Sequence, residues 1–223
     1  AEFCDKDRER LRAWKPLSPE IKALRSMERR LDELQRMKQQ EQNRLQSGVS
    51  DTVVIESLQE NIEHLADQIK GLKQKIEEHI DQHPELKRVQ RLLISIPAIG
   101  KQTANKLMAE IGNIEDFASA SQLAAYAGLA PRQFTSGSSV HKQTRISKQG
   151  RTELRRCLYM PAVVAISCNP IIQNLKKRML ASGHAMMEII VAAMKKLLHL
   201  VYGVLKHGRP FDPNHALLAE VTP

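Results

Sequence analysis

The chain has 223 residues, of which 42% are hydrophobic and 26% charged, and its 34 basic and 25 acidic side chains give a formal net charge of +9. This composition is ordinary for a folded protein and supplies enough apolar material for a sizeable core. The aromatic residues are few: four Phe, three Tyr and one Trp. Their scarcity argues against a β-sandwich and against RNA-binding domains that stack bases on aromatic side chains.

The cysteines and the apolar stretches of the sequence bear on the cellular compartment of the protein. Cys4, Cys157 and Cys168 are too few and too scattered for a disulfide framework, and none lies in a CxxC pair, so a zinc site is not expected. The longest apolar stretch spans the ten residues 157–166 and contains Pro161. It is too short to cross a membrane. We therefore expect a cytoplasmic protein without a membrane partner.

Charge is distributed unevenly along the chain. Residues 1–83 hold 15 basic and 17 acidic side chains, whereas residues 84–223 hold 19 basic and 8 acidic side chains. The whole basic excess therefore lies in the second part. Such a basic module, joined to a nearly neutral arm, predicts a polyanionic partner for the module alone.

The arm is predicted to be a helical coiled coil over residues 18–83. Ser18, Pro19 and Glu20 form a helix start, and Gly48 followed by Ser50 or Asp51 separates a first helix from a second. The second helix has a regular heptad pattern, with isoleucine at one core position and leucine at the other. These residues are Ile55, Leu58, Ile62, Leu65, Ile69, Leu72 and Ile76.

The heptads allow two arrangements. The two helices can fold into an antiparallel hairpin, or the second helix can pair with its copy in another subunit. Because an exposed seam this regular usually has a partner, we expect the chain to self-associate through the coiled coil.

Residues 94–104 follow the pattern of a helix-hairpin-helix motif. Pro97 ends one helix, Gly100 allows close approach of a ligand to the backbone, and a short amphipathic helix begins near Thr103. The unpaired amides at the start of that helix can bind a phosphate. Gly100, Lys101 and Thr103 are therefore predicted contacts to a nucleic acid strand. Ala98 stands where the motif usually has glycine, and a purely structural turn is the alternative.

Residues 129–150 are poor in apolar groups and are predicted to form a long polar loop. Ser136 and Gly137 lie within it, and a serine on a flexible turn beside cations suits phosphoryl transfer. Arg151 and Arg155 are four residues apart and could clamp a phosphate from one helix face. A solvated loop is the alternative. The predicted phosphate or RNA contacts are Gly137, Lys142, Arg145, Lys148, Arg151, Arg155 and Arg156.

Three more helices are expected, from about 151 to 167, from 170 to 183 and from 185 to 206. The carboxylates of residues 84–223 show no spacing typical of a metal site, and there is no DxD or HExxH motif. No metal or cofactor is therefore expected to bind this chain.

The ordered motifs of the second part resemble one family. They are LLISIPAIGKQTANKLMAEIG at 92–112, YAGLAP at 126–131, Ser136-Gly137, SKQG at 147–150 and Leu154-Arg155. Together they resemble the C-terminal half of the insertion-sequence one-ten family of DEDD-type transposases, which are related to the Piv and MooV DNA invertases. The resemblance extends over at least residues 87–213.

The resemblance implies a division of labour. In the family, a RuvC-like domain with four acidic residues binds magnesium, a coiled coil follows, and a helical domain carries a serine in a Ser-Gly motif. That serine attacks DNA and forms a phosphoserine link, and a structured guide RNA selects the sites. Ser136 matches the serine. The acidic residues have no counterpart here, so magnesium is expected only in a full-length protein and the chain alone is expected to be inactive.

The sequence thus predicts an all-α protein with a long helical hairpin and a compact helical domain. Residues 1–17 would be the tail of a truncated RuvC-like domain, 18–83 the arm, 84–213 the transposase domain and 214–223 a tail. The predicted function is DNA cutting and rejoining in transposition, with DNA and a guide RNA as partners. The alternative is a non-catalytic, dimeric DNA-binding protein.

Overall fold

The structure is a computed structural model that describes residues 16–136 and 140–213, with only the backbone described at 132–136 and 140–145. The predicted tail at 214–223, nearly all of the predicted tail at 1–17, and Gly137 lie outside the described residues.

The arm consists of two long helices, α1 (Pro19–Gln46) and α2 (Thr52–Gln82). As predicted, Ser18 and Asp51 cap their starts: the Ser18 hydroxyl accepts from the Ile21 amide at 3.4 Å, and the Asp51 carboxylate accepts from the Val54 amide at 3.1 Å. A hydrogen bond of 3.0 Å joins His79 Nε2 to the Glu20 carbonyl, so the end of α2 lies beside the start of α1. The hairpin is therefore antiparallel.

The heptad residues of α2 pack along α1. Leu65 and Ile76 are buried, as are Leu24 and Leu31 of α1, whereas the other heptad positions are half-buried. Of the two arrangements that the heptads allow, the structure shows the intramolecular hairpin. Its outer half keeps part of its apolar surface accessible.

The second part is a helical bundle built around its last helix. The helices are α3 (Pro84–Ile94), α4 (Lys101–Ile111), a 3₁₀ turn (Ile114–Asp116), α5 (Ala120–Tyr126), α6 (Thr152–Cys168), α7 (Pro170–Ala181) and α8 (Met186–His207). Helix α8 packs against α3, α5, α6 and α7, with Ile190, Met194, Leu197, Leu198 and Val201 in the core. The all-α class of the core is confirmed.

The polar segment is not the long loop that its composition predicts. Strand β1 (Pro131–Ser136) pairs antiparallel with β2 (Val140–Ile146), with an irregularity between Arg132 and Phe134. Backbone hydrogen bonds between these two strands form a two-stranded sheet. Such a ribbon has no second sheet to cover, so its sequence need not alternate apolar and polar residues. For this reason the apolar and polar pattern of the sequence predicted a loop and not a β-ribbon.

The arm and the bundle share one hydrophobic core. Leu24 and Ile80 of the arm belong to the same buried cluster as residues of α4, α6 and α8. Arg25 of α1 donates from Nε to the Ala109 carbonyl at 2.6 Å, and Lys106 of α4 pairs with Asp32. The predicted boundary between arm and domain at residue 83 stays a prediction.

Helix α6 runs unbroken through Pro161 and meets α7 at a bend of 86°. In the part of the chain that the structure describes, no single helix is long and apolar enough to cross a membrane, although α6 and α7 taken together would pass on length and composition.

Candidate nucleic-acid interface

The turn between α3 and α4 spans residues 95–100. Ile96 and Ile99 are buried and anchor it, and the Ile99 amide donates to the Ile96 carbonyl at 3.0 Å. Gly100 is the N-cap of α4. Because glycine has no side chain, no side-chain hydrogen bond caps the first backbone amides of the helix. A helix start of this kind carries a partial positive charge and open N–H donors, which suit a phosphate oxygen.

Ala98 adopts the backbone conformation that favours glycine. Its φ is +81°, in the left-handed region. The residue that departs from the expected pattern therefore keeps the backbone geometry that a glycine would give, at a cost of roughly 1 kcal/mol or more for an alanine. The turn is thus held in this shape by its surroundings.

Two contacts from distant segments hold the turn. Asn169, which is fully buried, caps α7 through Oδ1 and donates from Nδ2 to the Pro97 carbonyl at 3.5 Å. The Phe211 amide donates to Ser95 Oγ at 2.8 Å. The sequence predicts Asn169 only as a helix cap. Its second role depends on packing across 72 residues of chain, which local spacing does not reveal.

The base of the ribbon is fixed by backbone hydrogen bonds to the segment after α5. The Ser147 amide donates to Ala130 at 2.9 Å, the Lys148 amide to Gly128 at 3.1 Å, and the Arg151 amide to Tyr126 at 2.8 Å. These bonds join the YAGLAP segment to the SKQG segment, so the two most distinctive sequence motifs form one structural unit.

Glycine is required at two positions of this unit. A Cβ on Gly150, whose φ is +131°, would lie 2.2 Å from the Tyr126 carbonyl oxygen. A Cβ on Gly128, whose φ is +71°, would lie 2.6 Å from Arg155 Nη1 and 2.8 Å from the Gln149 carbonyl oxygen. Because backbone atoms cannot move aside as a flexible side chain can, neither site has room for a side chain.

The Arg155 side chain donates hydrogen bonds to both segments of this unit. Its Nη1 donates to the Ala127 carbonyl at 3.0 Å and to the Lys148 carbonyl at 3.3 Å, and its Nη2 donates to Thr152 Oγ1 at 3.4 Å. The guanidinium therefore ties the YAGLAP segment to the ribbon base. Its predicted role as a phosphate contact stays a prediction, but most of its donors are already engaged.

Arg151 is also used within the fold. It donates from Nε to the Tyr126 hydroxyl at 2.7 Å, and its guanidinium lies 5.7 Å from the centre of that ring. This hydrogen bond to the Tyr126 hydroxyl raises the pKa of Arg151 above its ordinary value. The two arginines predicted to clamp one phosphate thus meet different partners at the ribbon base.

The remaining predicted residues are distributed over the ribbon and its flanks. Ser136 ends β1 and pairs with Val140, while Lys142 pairs with Phe134 and Arg145 with Arg132. Lys148 is exposed at a φ of +55°, and Arg156 is exposed with an ion pair to Glu153 at 3.2 Å. Ser136 therefore lies at the far end of the ribbon from its fixed base.

A cleft of about 270 Å³ between the arm and the bundle contains two buried carboxylates. Glu28 and Glu110 are 5% and 6% exposed, and each has an Oε2 that finds no hydrogen-bond partner among the described residues. Burial raises the pKa of Glu28 to about 7, partly countered by the charge of Lys106. No spacing rule in the sequence singled out either residue.

Neither a metal site nor a reactive thiol is available in this cleft. Within residues 16–136 and 140–213, no group of three or more His, Cys, Asp or Glu could hold a metal ion. Burial raises the pKa of Cys157 to about 12, so its thiol stays protonated and unreactive at neutral pH. The magnesium that the resemblance implies for a longer protein has no ligand set in the described part.

Comparison with known protein families finds a match for part of the chain. Residues 90–177, which include the turn, the ribbon and α6, match the model of the Transposase IS116/IS110/IS902 family. This part of the chain is therefore similar to the transposase domain of this family.

Individual relatives include a gene-inverting protein, a transposase and an uncharacterized insertion-element protein. The chain is 46% identical over 154 residues to the pilin gene-inverting protein of Moraxella bovis, covering 69% of the chain and 48% of that protein. It is 26% identical over 160 residues to an IS110 43.6 kDa protein of Streptomyces coelicolor, covering 72% of the chain and 38% of that protein. It is 32% identical over 109 residues to the IS1328 transposase of Yersinia enterocolitica, covering 48% of the chain and 30% of that protein. The chain spans about half the length, or less, of these relatives.

Proposed function

We propose that this chain is the nucleic-acid-binding and strand-joining part of a transposase or site-specific recombinase, with Ser136 as its nucleophile. The observation that carries the proposal is the position of Ser136 at the end of a ribbon whose base is fixed by Arg155 and by the close packing of Gly128 and Gly150. A fixed base limits the positions that the tip can reach, which reduces the entropy lost when a nucleophile meets its target.

The proposed step is a transesterification. The Ser136 hydroxyl oxygen bonds to a DNA phosphorus, loses its proton to a base, and displaces one deoxyribose oxygen, which leaves as a hydroxyl. The phosphodiester becomes a phosphoserine ester, and attack by a second deoxyribose hydroxyl reverses the step and joins a new strand. Bond number is conserved throughout, so rejoining needs no added energy source. The base is not assigned among the described residues.

The turn and the cations of the module would hold the nucleic acid during this step. Open amides at the start of α4 suit a backbone phosphate, next to Lys101 and Thr103. Contacts of this kind fix position without reading sequence, so site choice requires another reader. A structured guide RNA is the proposed reader, and magnesium is the proposed metal of a longer protein.

The test uses the protein expressed with any reading frame that precedes Ala1. It is incubated with end-labelled DNA and magnesium and then examined by denaturing electrophoresis. We expect a covalent protein–DNA species that disappears in Ser136→Ala, while DNA affinity stays within a few fold because one loop hydroxyl contributes little to binding. Thr135→Ala and Ser138→Ala are the matched controls and should retain the species.

Other outcomes would overturn parts of the proposal. A covalent species that survives Ser136→Ala but is lost in Thr135→Ala or Ser138→Ala would assign the nucleophile to another hydroxyl. DNA cleavage without any covalent species would remove the serine step. Binding without cleavage under all conditions would favour the non-catalytic DNA-binding alternative.

A further inference from the structure

A groove of about 550 Å³ lies between the end of α2, the outer face of α3 and the segment after α8. Pro84, Leu92 and Pro210 form its apolar lining. Its charged lining residues are Lys87, Arg88, Arg91 and Asp81, and Arg88 is paired with Glu85 at 3.2 Å. None of these residues belongs to the nucleic-acid contacts predicted from the sequence.

Asp81 is paired with one cation of the groove. Lys87 and Arg91 are four residues apart on α3, and Lys87 donates to Asp81. The hydrogen bond from Lys87 lowers the pKa of Asp81, and the nearby charges of Lys101 and Arg91 lower it further. Lys101 follows the Gly100 cap of α4, and its Nζ lies 3.9 Å from Glu77 Oε2.

Of the three cations that line the groove, Arg91 is the one without an ion-pair partner among the described residues. It is exposed, and among the described residues no carboxylate lies within ion-pair distance of it. Arg151 and Arg155, by contrast, are engaged at the ribbon base. Arg91 on α3 is therefore a cation that a ligand can reach close to the turn.

Hydrogen bonds of Ser95 hold one side of the groove in place. Ser95, the C-cap of α3, donates to the Leu92 carbonyl at 2.6 Å and accepts from the Phe211 amide at 2.8 Å, which holds the segment after α8 against α3. Phe211 also packs against the core. A preformed groove loses little conformational entropy on binding.

We propose that this groove binds the phosphodiester backbone of a nucleic acid strand, with Lys87 and Arg91 as its phosphate contacts. The apolar lining suits the sugar carbons, the cations suit the phosphates, and Asp81 weakens the contact by repulsion. The strand would continue to the open amides of α4. The inference rests on the proposed function, because it extends the same interface by one groove.

The test measures affinity and its salt dependence for the whole chain, using a short duplex DNA and a hairpin RNA as probes. If Arg91 contacts a phosphate, Arg91→Ala should reduce the slope of log affinity against log salt by about one and weaken binding roughly 5- to 10-fold near 0.1 M salt. Asp81→Asn should strengthen binding, because it removes repulsion. Arg44→Ala, which removes the same charge from the far end of the arm, is the matched control and should change affinity less than about twofold.

The two variants with opposite signs distinguish a phosphate contact from a structural role, and circular dichroism checks that both remain folded. A change with both probes supports a backbone contact common to DNA and RNA, and a change with one probe identifies the strand in the groove. If both Arg91→Ala and Asp81→Asn bind nucleic acid like the wild type, the groove is not a binding site. The proposed function would then still stand. Weaker binding by Asp81→Asn would also overturn it. Failure of the wild-type chain to bind either probe would overturn the proposed function as well.

Discussion

Arg155 donates from Nη1 to the carbonyl oxygen of Ala127 at 3.0 Å, across 28 residues of chain. This contact joins α6 to the segment that precedes the ribbon. It gives the Leu154-Arg155 motif a structural role beside the YAGLAP motif, and it changes what a mutation of Arg155 is expected to do.

Arg155→Ala should lower the stability of the ribbon base. The variant leaves two backbone carbonyls without their donor, which typically costs about 1–3 kcal/mol. Arg155→Lys should recover only part of this, because one ammonium cannot reproduce the guanidinium fork. The measurement is urea unfolding, together with hydrogen exchange of the amides of Ser147 and Lys148.

Arg156→Ala is the control for that prediction. Arg156 is the next residue, is exposed and makes only an ion pair with Glu153 within the described residues. Its removal should change stability by less than about 0.5 kcal/mol. If Arg155→Ala unfolds like the wild type but loses about one unit of salt slope on DNA, Arg155 is a phosphate contact instead.

Gly100→Ala should weaken DNA binding while leaving the fold nearly unchanged. A Cβ at Gly100 would meet no atom within 4 Å, so the added methyl group enters the space that a phosphate would use. The change of N-cap residue should cost no more than about 1 kcal/mol of stability. Fluorescence anisotropy with duplex DNA and urea unfolding check the two parts.

Gly71→Ala provides the comparison for Gly100. Gly71 lies within α2 with open space around it, and alanine there should stabilise the helix by up to about 1 kcal/mol without an effect on binding. Equal affinities for the two variants would mean that the start of α4 does not approach a phosphate.

Glu28→Gln should flatten the pH dependence of stability. Burial raises the pKa of Glu28 in the folded state from 4.5 to about 7, so the folded state binds the proton more tightly than the unfolded state. The resulting stability is fully present below about 4.5 and is lost as the pH rises through about 7. At pH 8 the neutral amide avoids a buried charge, and the variant should be more stable by roughly 1–3 kcal/mol.

Urea midpoints at pH 5 and pH 8 measure this effect. The charged groups around Glu28 are Lys106 of α4, Asp32 of α1, and Glu77 and Lys73 of α2. Glu33→Gln on the exposed side of α1 is the control and should leave the pH dependence as in the wild type. If the stability of Glu28→Gln changes with pH as the wild-type stability does, Glu28 is ionised in the folded protein across this range.

The accessible outer half of the arm should mediate self-association. Met37, Val53 and Val54 are 43%, 72% and 45% exposed at that end. Val53→Asp should weaken association without unfolding the arm, because the Val53 side chain is mostly exposed and contributes little to the core. Ile62→Asp with Ile69→Asp should both weaken association and open the hairpin, since both residues are half-buried at heptad core positions of α2.

Sedimentation over a range of concentrations tests the arm. A wild-type chain that stays monomeric throughout would show that the heptads serve only the intramolecular hairpin.

The amino-acid sequence by itself determined the helices of this protein. The caps at Ser18, Asp51 and Asn169, the heptads of α2 and the apolar stripe of α8 are local patterns, because helix formation depends on residues three or four positions apart. The same local information identified the turn at Gly100.

Only the tertiary structure decided how the polar and charged residues are used. Arg151 and Arg155 meet partners about 25 residues earlier, Glu28 is buried by packing of the arm on α4, and the ribbon pairs strands with no strong alternation. Each outcome depends on which distant segments come together. A charged side chain in an isolated sequence pattern has the same appearance whether it will face solvent, a phosphate or a backbone carbonyl, and only long-range packing distinguishes these environments.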